Sequence, residues 1–298
     1  MLSCLLLATL TCAAPAGAPP GAPTVLAARP PTPLRIDFVS VGQGDAALVT
    51  SPTGKTILID GGPREAGPAL TAQLRARRVS AIELVLLTHR HEDHLGGIAH
   101  VVRAVPVRLF MDAPFPHPSQ IYEELLETLQ ERHVMVRAAT SGRTIDLGGG
   151  AVLTLLGPPD PPIARSRSDV NANSVVARLD YHTVGILFAA DAEPQTERWL
   201  LAAERARLRA QILKVAHHGG RYSSTAAFLG AVSPTIAVIS VGEVNGYGHP
   251  TPEALARLER AHAHVYRTDR DGTITVETDG ARIEVTTARG KREILAAR

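Results

Sequence analysis

Between positions 89 and 94 the chain reads His89-Arg90-His91-Glu92-Asp93-His94, three imidazoles and an aspartate inside six residues. Imidazole nitrogen and carboxylate oxygen are donors that divalent ions such as Zn²⁺ and Mn²⁺ accept, and core packing rarely asks for such a cluster. The apolar run Leu84-Val85-Leu86-Leu87 precedes it and Gly96-Gly97 follows. That context places the cluster in a loop just past a buried strand, where all four side chains can converge on one point. The chemistry implied is that of a bound divalent metal, so the segment marks the chain as an enzyme.

Other apolar runs end in the same way. Thr56-Ile57-Leu58-Ile59 leads into Asp60-Gly61-Gly62, Gly185 to Ala190 leads into Asp191, and Ile212 to Ala216 leads into His217-His218-Gly219-Gly220. Strand ends along one edge of a sheet are neighbours in space, and α/β folds place their ligands at that edge. A strand-end aspartate taken alone is most often a turn former, and a His-His pair is as often an incidental surface feature. Joined to the six-residue cluster, they supply enough nitrogen and oxygen donors for two ions.

The elements that must position these residues alternate along the chain. Strands are expected at Leu34 to Val39, Ala46 to Thr50, Thr56 to Ile59, Ile82 to Leu87 and Val107 to Met111. Further strands are expected at Val152 to Leu155, Ser174 to Leu179, Val184 to Phe188, Ile212 to Val215, Ile236 to Ser240 and twice near the C-terminus. Helices are expected at Ala69 to Arg77, Ile98 to Val105, Gln120 to Arg132, Pro194 to Leu208, Thr225 to Ala231 and Pro252 to Ala263. The last opens on Thr251-Pro252-Glu253, a capping hydroxyl, a proline at the first helical position and an early acid. The mixture implies an α/β protein of α+β character, with antiparallel hairpins at Asp271-Gly272 and Asp279-Gly280. Two look-alike motifs are discounted. Thr53-Gly54-Lys55-Thr56 ends like a phosphate-binding loop, but Val49 stands where its first glycine belongs and a strand follows, so it is a hairpin turn. Asp269-Arg270-Asp271-Gly272 begins like a calcium loop but lacks the closing glutamate, and is read as a turn.

The chain has 298 residues, 45% of them apolar, and its net charge is +2 with arginines scattered rather than in one block. Charge alone therefore gives no argument for nucleic-acid binding. Both cysteines, Cys4 and Cys12, fall within or beside the apolar segment Leu2 to Leu10, too short to span a bilayer. Residues 1–33 read as a secretory signal, lacking the usual basic start, followed by a Pro/Ala/Gly-rich linker. Thr9-Leu10-Thr11 makes a poor lipid-attachment site before Cys12. The expected location is secreted or periplasmic, with one globular domain over 34–298 that uses neither disulfides nor thiolate ligands.

The order and wording of the motifs resemble the metallo-β-lactamase superfamily. Val41-Gly42-Gln43-Gly44-Asp45-Ala46, Leu58-Ile59-Asp60-Gly61-Gly62, the His89 loop, Asn173-Ser174-Val175, Lys214-Val215-Ala216-His217-His218-Gly219 and Tyr247-Gly248-His249-Pro250 are similar to the soluble hydrolase domain of ComEC-like competence proteins. The resemblance covers roughly residues 34 to 277. It implies an αββα four-layer sandwich with two divalent ions, Zn or Mn. Carried over, His89 and His91 would bind the first ion, Asp93 and His94 the second, Asp191 would bridge them and His217 would complete the second site. Asp60 would orient the histidine loop from behind by hydrogen bonds. Asn173 occupies the region where a third histidine commonly completes the first site, and an amide is a weaker zinc ligand. The first site is thus expected to be weak, water-completed or manganese-occupied.

The expected reaction is hydrolysis of a small-molecule or nucleic-acid phosphodiester. Asp93, His218 and His249 are the expected catalytic groups, with His218 or His249 serving the leaving group. A histidine that caps the following helix is an equal reading of His249. Rival functions are hydrolysis of a lactone, an amide or a phosphorylcholine ester, and a metal-retaining binding module without turnover. The related family takes part in DNA uptake, but this chain lacks the multi-helix membrane region of a channel, so transport is not expected.

Overall fold

The computed structural model describes residues 32–296, so the expected export signal, Cys4, Cys12 and nearly all of the linker lie outside the described residues. The first part of the described chain supplies β1 (Leu34–Phe38), β2 (Ala47–Thr50), β3 (Thr56–Ile59), β4 (Ile82–Leu87), β5 (Val107–Asp112) and β6 (Met135–Ala138). The middle supplies β7 (Thr144–Gly148), β8 (Ala151–Leu155), β9 (Ala177–Tyr181), β10 (Val184–Phe188), β11 (Ile212–Lys214), β12 (Ile236–Ile239) and β13 (His264–Arg267). The chain then returns to the first sheet with β14 (Ile274–Thr278), β15 (Arg282–Thr287) and β16 (Arg292–Ala296). The sheets run β16-β15-β14-β1-β2-β3-β4-β5-β6 and β13-β12-β11-β10-β9-β8-β7.

Strands β3 to β6 are parallel to one another, as are β10 to β13. A parallel pair needs a crossover, and helices supply it: Gly67–Ala76, Ile98–Ala104 and Gln120–Glu131 on the first sheet, Pro194–Ala203, Ala226–Val232 and Pro252–Arg260 on the second. Side chains alternate along each strand, so one face of a sheet meets the other sheet and the opposite face meets helices. Leu84 and Leu86 pack with Leu153, Leu179 and Ile186 between the sheets. Val85 and Leu87 turn outward onto Leu70, Val101 and Leu125 of the first helical layer, and Leu187 and Leu213 meet Leu200, Phe228 and Leu258 of the second. This is the expected αββα sandwich. It also explains why the strands read as unbroken apolar runs, since both faces are covered.

Four expectations are corrected. The Asp271-Gly272 hairpin does not form: β13 and β14 lie in different sheets, and a short helix, Thr268–Asp271, with Gly272 at φ 67° turns the chain between them. The same helix replaces the expected turn at Asp269 to Gly272. The strand expected from Ser174 starts only at Ala177, because the Val175 N–H donates to the Thr88 carbonyl and ties the chain to the histidine loop. The long helix from Pro194 ends at Ala203 and gives way to a tighter turn at Arg205–Arg207. The hairpin turns at Gly54 and Asp279-Gly280 form as expected.

Candidate metal centre

The C-terminal ends of β3, β4, β10, β11 and β12 open on one edge of the sandwich. From them come Asp60, the His89 loop, Asp191, the His217-His218 pair and the Ser240 carbonyl. The loop between β1 and β2 adds Asp45. Its approach depends on Gly44, where a Cβ would come within 2.2 Å of the Asp93 carbonyl oxygen, while the Asp45 N–H donates to that same oxygen at 3.0 Å.

Asp191 organises the cluster. Its Oδ1 lies 3.4 Å from His94 Nε2 and 3.8 Å from His218 Nε2, and its Oδ2 lies 3.8 Å from His89 Nε2 and 3.7 Å from His217 Nε2. His89 Nε2 also sits 3.1 Å from His91 Nδ1, and His218 Nε2 sits 3.1 Å from Asp93 Oδ2. Tetrahedral coordination with bonds of about 2.0–2.1 Å sets neighbouring donor atoms about 3.3 Å apart, close to these spacings. His94 Nε2 and Asp191 Oδ1 are buried, face each other and make no hydrogen bond to the protein. Buried polar atoms without partners are costly, and a cation between them removes that cost.

The imidazoles are held from behind. Asp60 accepts the Thr88 N–H and hydroxyl, each at 2.8 Å, and the His94 Nδ1–H at 2.9 Å, which turns His94 Nε2 toward Asp191. The His218 Nδ1–H donates to the Ser240 carbonyl at 3.0 Å, which fixes its Nε2 in the same sense. Beneath both rings Asp45 pairs with buried Lys214. Burial favours a neutral Asp45, yet Lys214 and His218 beside it hold its carboxyl down at about 2. Burial likewise opposes a charge on His218, but Asp191 and Asp45 raise it to about 10. Asp60, Ala190, His217 and His218 all adopt left-handed backbone angles, φ 58°, 49°, 51° and 52°. Such residues cost on the order of 1–3 kcal/mol each and gather at functional sites.

Most of the expected site residues converge, with two changes of place. The resemblance put His217 with Asp93 and His94, but His218 occupies that position and His217 faces Oδ2 of Asp191 on the side of His89. Asn173 is buried but turned away: it accepts the Ile163 N–H and donates to the Ile163 and Asp169 carbonyls. The amide that faces the cluster is Asn171, whose Nδ2 lies 3.5 Å from His217 Nε2. His249 is half-buried on the rim, its ring 5.6 Å from that of His217, and burial together with His218 and His217 depresses its pKa to about 4. It caps no helix; Thr251 does so through the Ala254 N–H. Asp45, Lys214 and Asn171 were not singled out from sequence. A signal for the first two existed in the glycine-flanked Gly44-Asp45 and in a lysine inside an apolar strand.

The sequence pattern of the metallo-beta-lactamase superfamily matches residues 39–164, which include the whole histidine loop. The chain carries a metallo-β-lactamase domain pattern over that stretch. The chain is also 27% identical over 257 residues to ComE operon protein 3 of Bacillus subtilis (strain 168), a match over 80% of this chain and 32% of that protein. The chain thus spans about a third of that relative's length. The metallo-beta-lactamase fold protein YhfI from Bacillus subtilis superposes at TM-score 0.54 with 13% identity, over 83% of this chain and 100% of that one. Zn(2+)-bound PqqB from Methylobacterium extorquens does so at TM-score 0.52 with 12% identity, over 81% and 99%. These two are likenesses of fold alone.

Proposed function

We propose that this chain is a metal-dependent hydrolase of phosphodiesters, of the nuclease type, with two divalent ions, Zn²⁺ or Mn²⁺. The observation that carries the reading is Asp191, each of whose carboxylate oxygens faces two imidazoles. On one side His89, His91 and His217 would hold an ion; on the other, Asp93, His94 and His218 would hold its partner, with Asp191 shared. His217 thereby supplies the imidazole that Asn173 does not. When bound, the ions supply a water acidified toward neutral pH and positive charge for an in-line displacement.

The chain's own residues do the rest. Asp60 and the Ser240 carbonyl fix which ring nitrogen each of His94 and His218 presents. His218, engaged at both nitrogens, is a donor of the centre rather than a proton source for the leaving group. His249, neutral and on the rim, is placed to donate a hydrogen bond to the departing oxygen. A cleft of about 590 Å³ above the centre, lined by Gln43, Glu65, His91, Asp93, Asn171 and His249 among others, is ligand-sized and open.

The test incubates the purified protein with Mn²⁺ or Zn²⁺ and with single-stranded DNA, double-stranded DNA and a small chromogenic diester. Hydrolysis of any of these, lost in Asp191→Ala, is the expected result. Bound metal with no hydrolysis overturns the proposal, and a panel of lactones, amides and phosphorylcholine esters then identifies the bond. A protein inert to all of them is the binding module.

A further inference from the structure

The cleft does not end above the metal centre. A second chamber of about 630 Å³ adjoins it, and Ser168, Asn171, His217, Tyr247 and His249 line both. In a chain only 4% aromatic, the two strongly exposed aromatic rings among the described residues, Tyr222 at 50% and Tyr247 at 72%, both border this chamber. Exposed aromatic rings are informative, because burial is their default.

Both rings are held in place. The Arg167 guanidinium lies over Tyr222 at 4.0 Å, and Tyr247 stacks on His249 at 5.7 Å with 24° between the planes. The loop carrying Tyr222 is clamped on two sides. Arg257 donates to the carbonyls of Arg221 and Ser223, while Glu197 accepts the N–H groups of Ser224 and Thr225. Among the described residues Arg167 makes no hydrogen bond or ion pair, so its donors are free for an anion, although Glu193 lies within electrostatic reach. Arg221, by contrast, is taken up by Glu253 at 2.7 Å. On the chamber wall, Asn171 Oδ1, Ser223 Oγ and His249 Nδ1 are buried without a protein hydrogen-bond partner.

Stacking rings, one free guanidinium and unpartnered polar atoms together match an unpaired nucleotide: π-face, phosphate and base edge. We propose that this chamber is a subsite for the nucleotide next to the scissile bond of a single-stranded nucleic acid, with Tyr222 and Tyr247 as stacking platforms and Arg167 as the phosphate contact. The inference rests on the phosphodiesterase reading for the identity of the scissile bond. A duplex keeps its bases stacked on each other and offers these rings nothing, so the subsite makes the enzyme select single strands.

The test measures binding of a fluorescein-labelled 12-residue single-stranded oligodeoxynucleotide, and of its duplex, by anisotropy in the presence of Mn²⁺. It uses the chain carrying Asp191→Asn, alone and combined with Tyr222→Ala, Tyr247→Ala or Arg167→Ala. Stacking worth about 1–3 kcal/mol per base predicts a loss of about 5- to 150-fold for each tyrosine, with Tyr→Phe restoring the affinity. The ratio of kcat/KM for the oligonucleotide to that for a small chromogenic diester should fall by a similar factor in the tyrosine variants with Asp191 intact. Unchanged single-strand affinity in both alanine variants, or equal affinity for duplex and single strand in the parent, overturns the subsite and leaves the phosphodiesterase reading standing. An unsubstituted protein, Asp191 intact, that binds metal but cleaves no diester overturns that reading, while the anisotropy series still decides the subsite.

Discussion

Asp191 divides the imidazoles by oxygen, and the tandem His217-His218 is what lets one strand end serve both sides. Adjacent residues in an extended chain point opposite ways; here two consecutive left-handed residues turn both rings toward one carboxylate. Removing either ring should therefore have a side-specific effect. His217→Ala and His218→Ala should each lower bound Mn²⁺ or Zn²⁺ toward about one ion per chain, and the remaining ion should differ in affinity between them. Titration calorimetry with elemental analysis checks this, and identical binding curves for the two variants would contradict the division. Asp60 acts one step back. Asp60→Asn replaces the acceptor of His94 Nδ1–H and should weaken metal binding about 10- to 100-fold, read by competition with a chelating dye. The contiguous His89 to His94 motif was legible in sequence because one loop carries it. Which of two adjacent histidines faces which oxygen was not, because that depends on backbone angles which L-residues rarely adopt. That Asn171 rather than Asn173 faces the cluster was hidden for a similar reason. The short helix Asp169–Ala172 turns Asn171 toward the cluster and leaves Asn173 capping its end among backbone carbonyls.

At the scale of elements, apolar runs capped by Asp or His located the strand ends correctly, because strands buried on both faces leave an unbroken signature. Elements without that signature were missed. Every residue of edge strand β6 is exposed, and edge strand β7 has only one buried side chain, so neither shows a usable pattern. The helix Pro194–Ala203 contributes more than packing. Its buried Glu197 accepts two N–H groups from the loop after Tyr222, and burial, against the pull of those donors and Arg257, raises its pKa from 4.5 to about 7. The folded chain thus binds this proton more tightly than the unfolded one. Glu197 should favour folding fully below about pH 4.5 and lose that contribution as the pH rises through about 7. Denaturant midpoints measured across that range should fall with pH in the parent and fall less in Glu197→Gln. A parallel decline in both would assign the trend to other groups.

At the scale of the molecule, the centre draws Asp60 and the His89 loop from one sheet and Asp191, His217 and His218 from the other. Any ion held there ties the two sheets together, and metal binding becomes part of folding stability. An ion at about 100 times its Kd adds about 2.7 kcal/mol, so stripping the protein with a chelator should lower Tm by about 5–10 °C, with recovery on adding Mn²⁺ or Zn²⁺. A Tm indifferent to chelator, in protein shown by elemental analysis to have carried metal, would mean that the ion does not bridge the layers. The buried Lys214–Asp45 pair has a further consequence. Asp45, Asp60, Asp93 and Asp191 bring four negative charges to the centre, and Lys214 with the protonated His94 and His218 rings returns three, leaving a formal deficit of one. Two divalent cations that displace both imidazole protons reverse the sign to a single net positive charge. The empty chamber would repel an anion and the loaded one attract it, so the lysine under the histidines makes the polarity of the cleft follow its metal content.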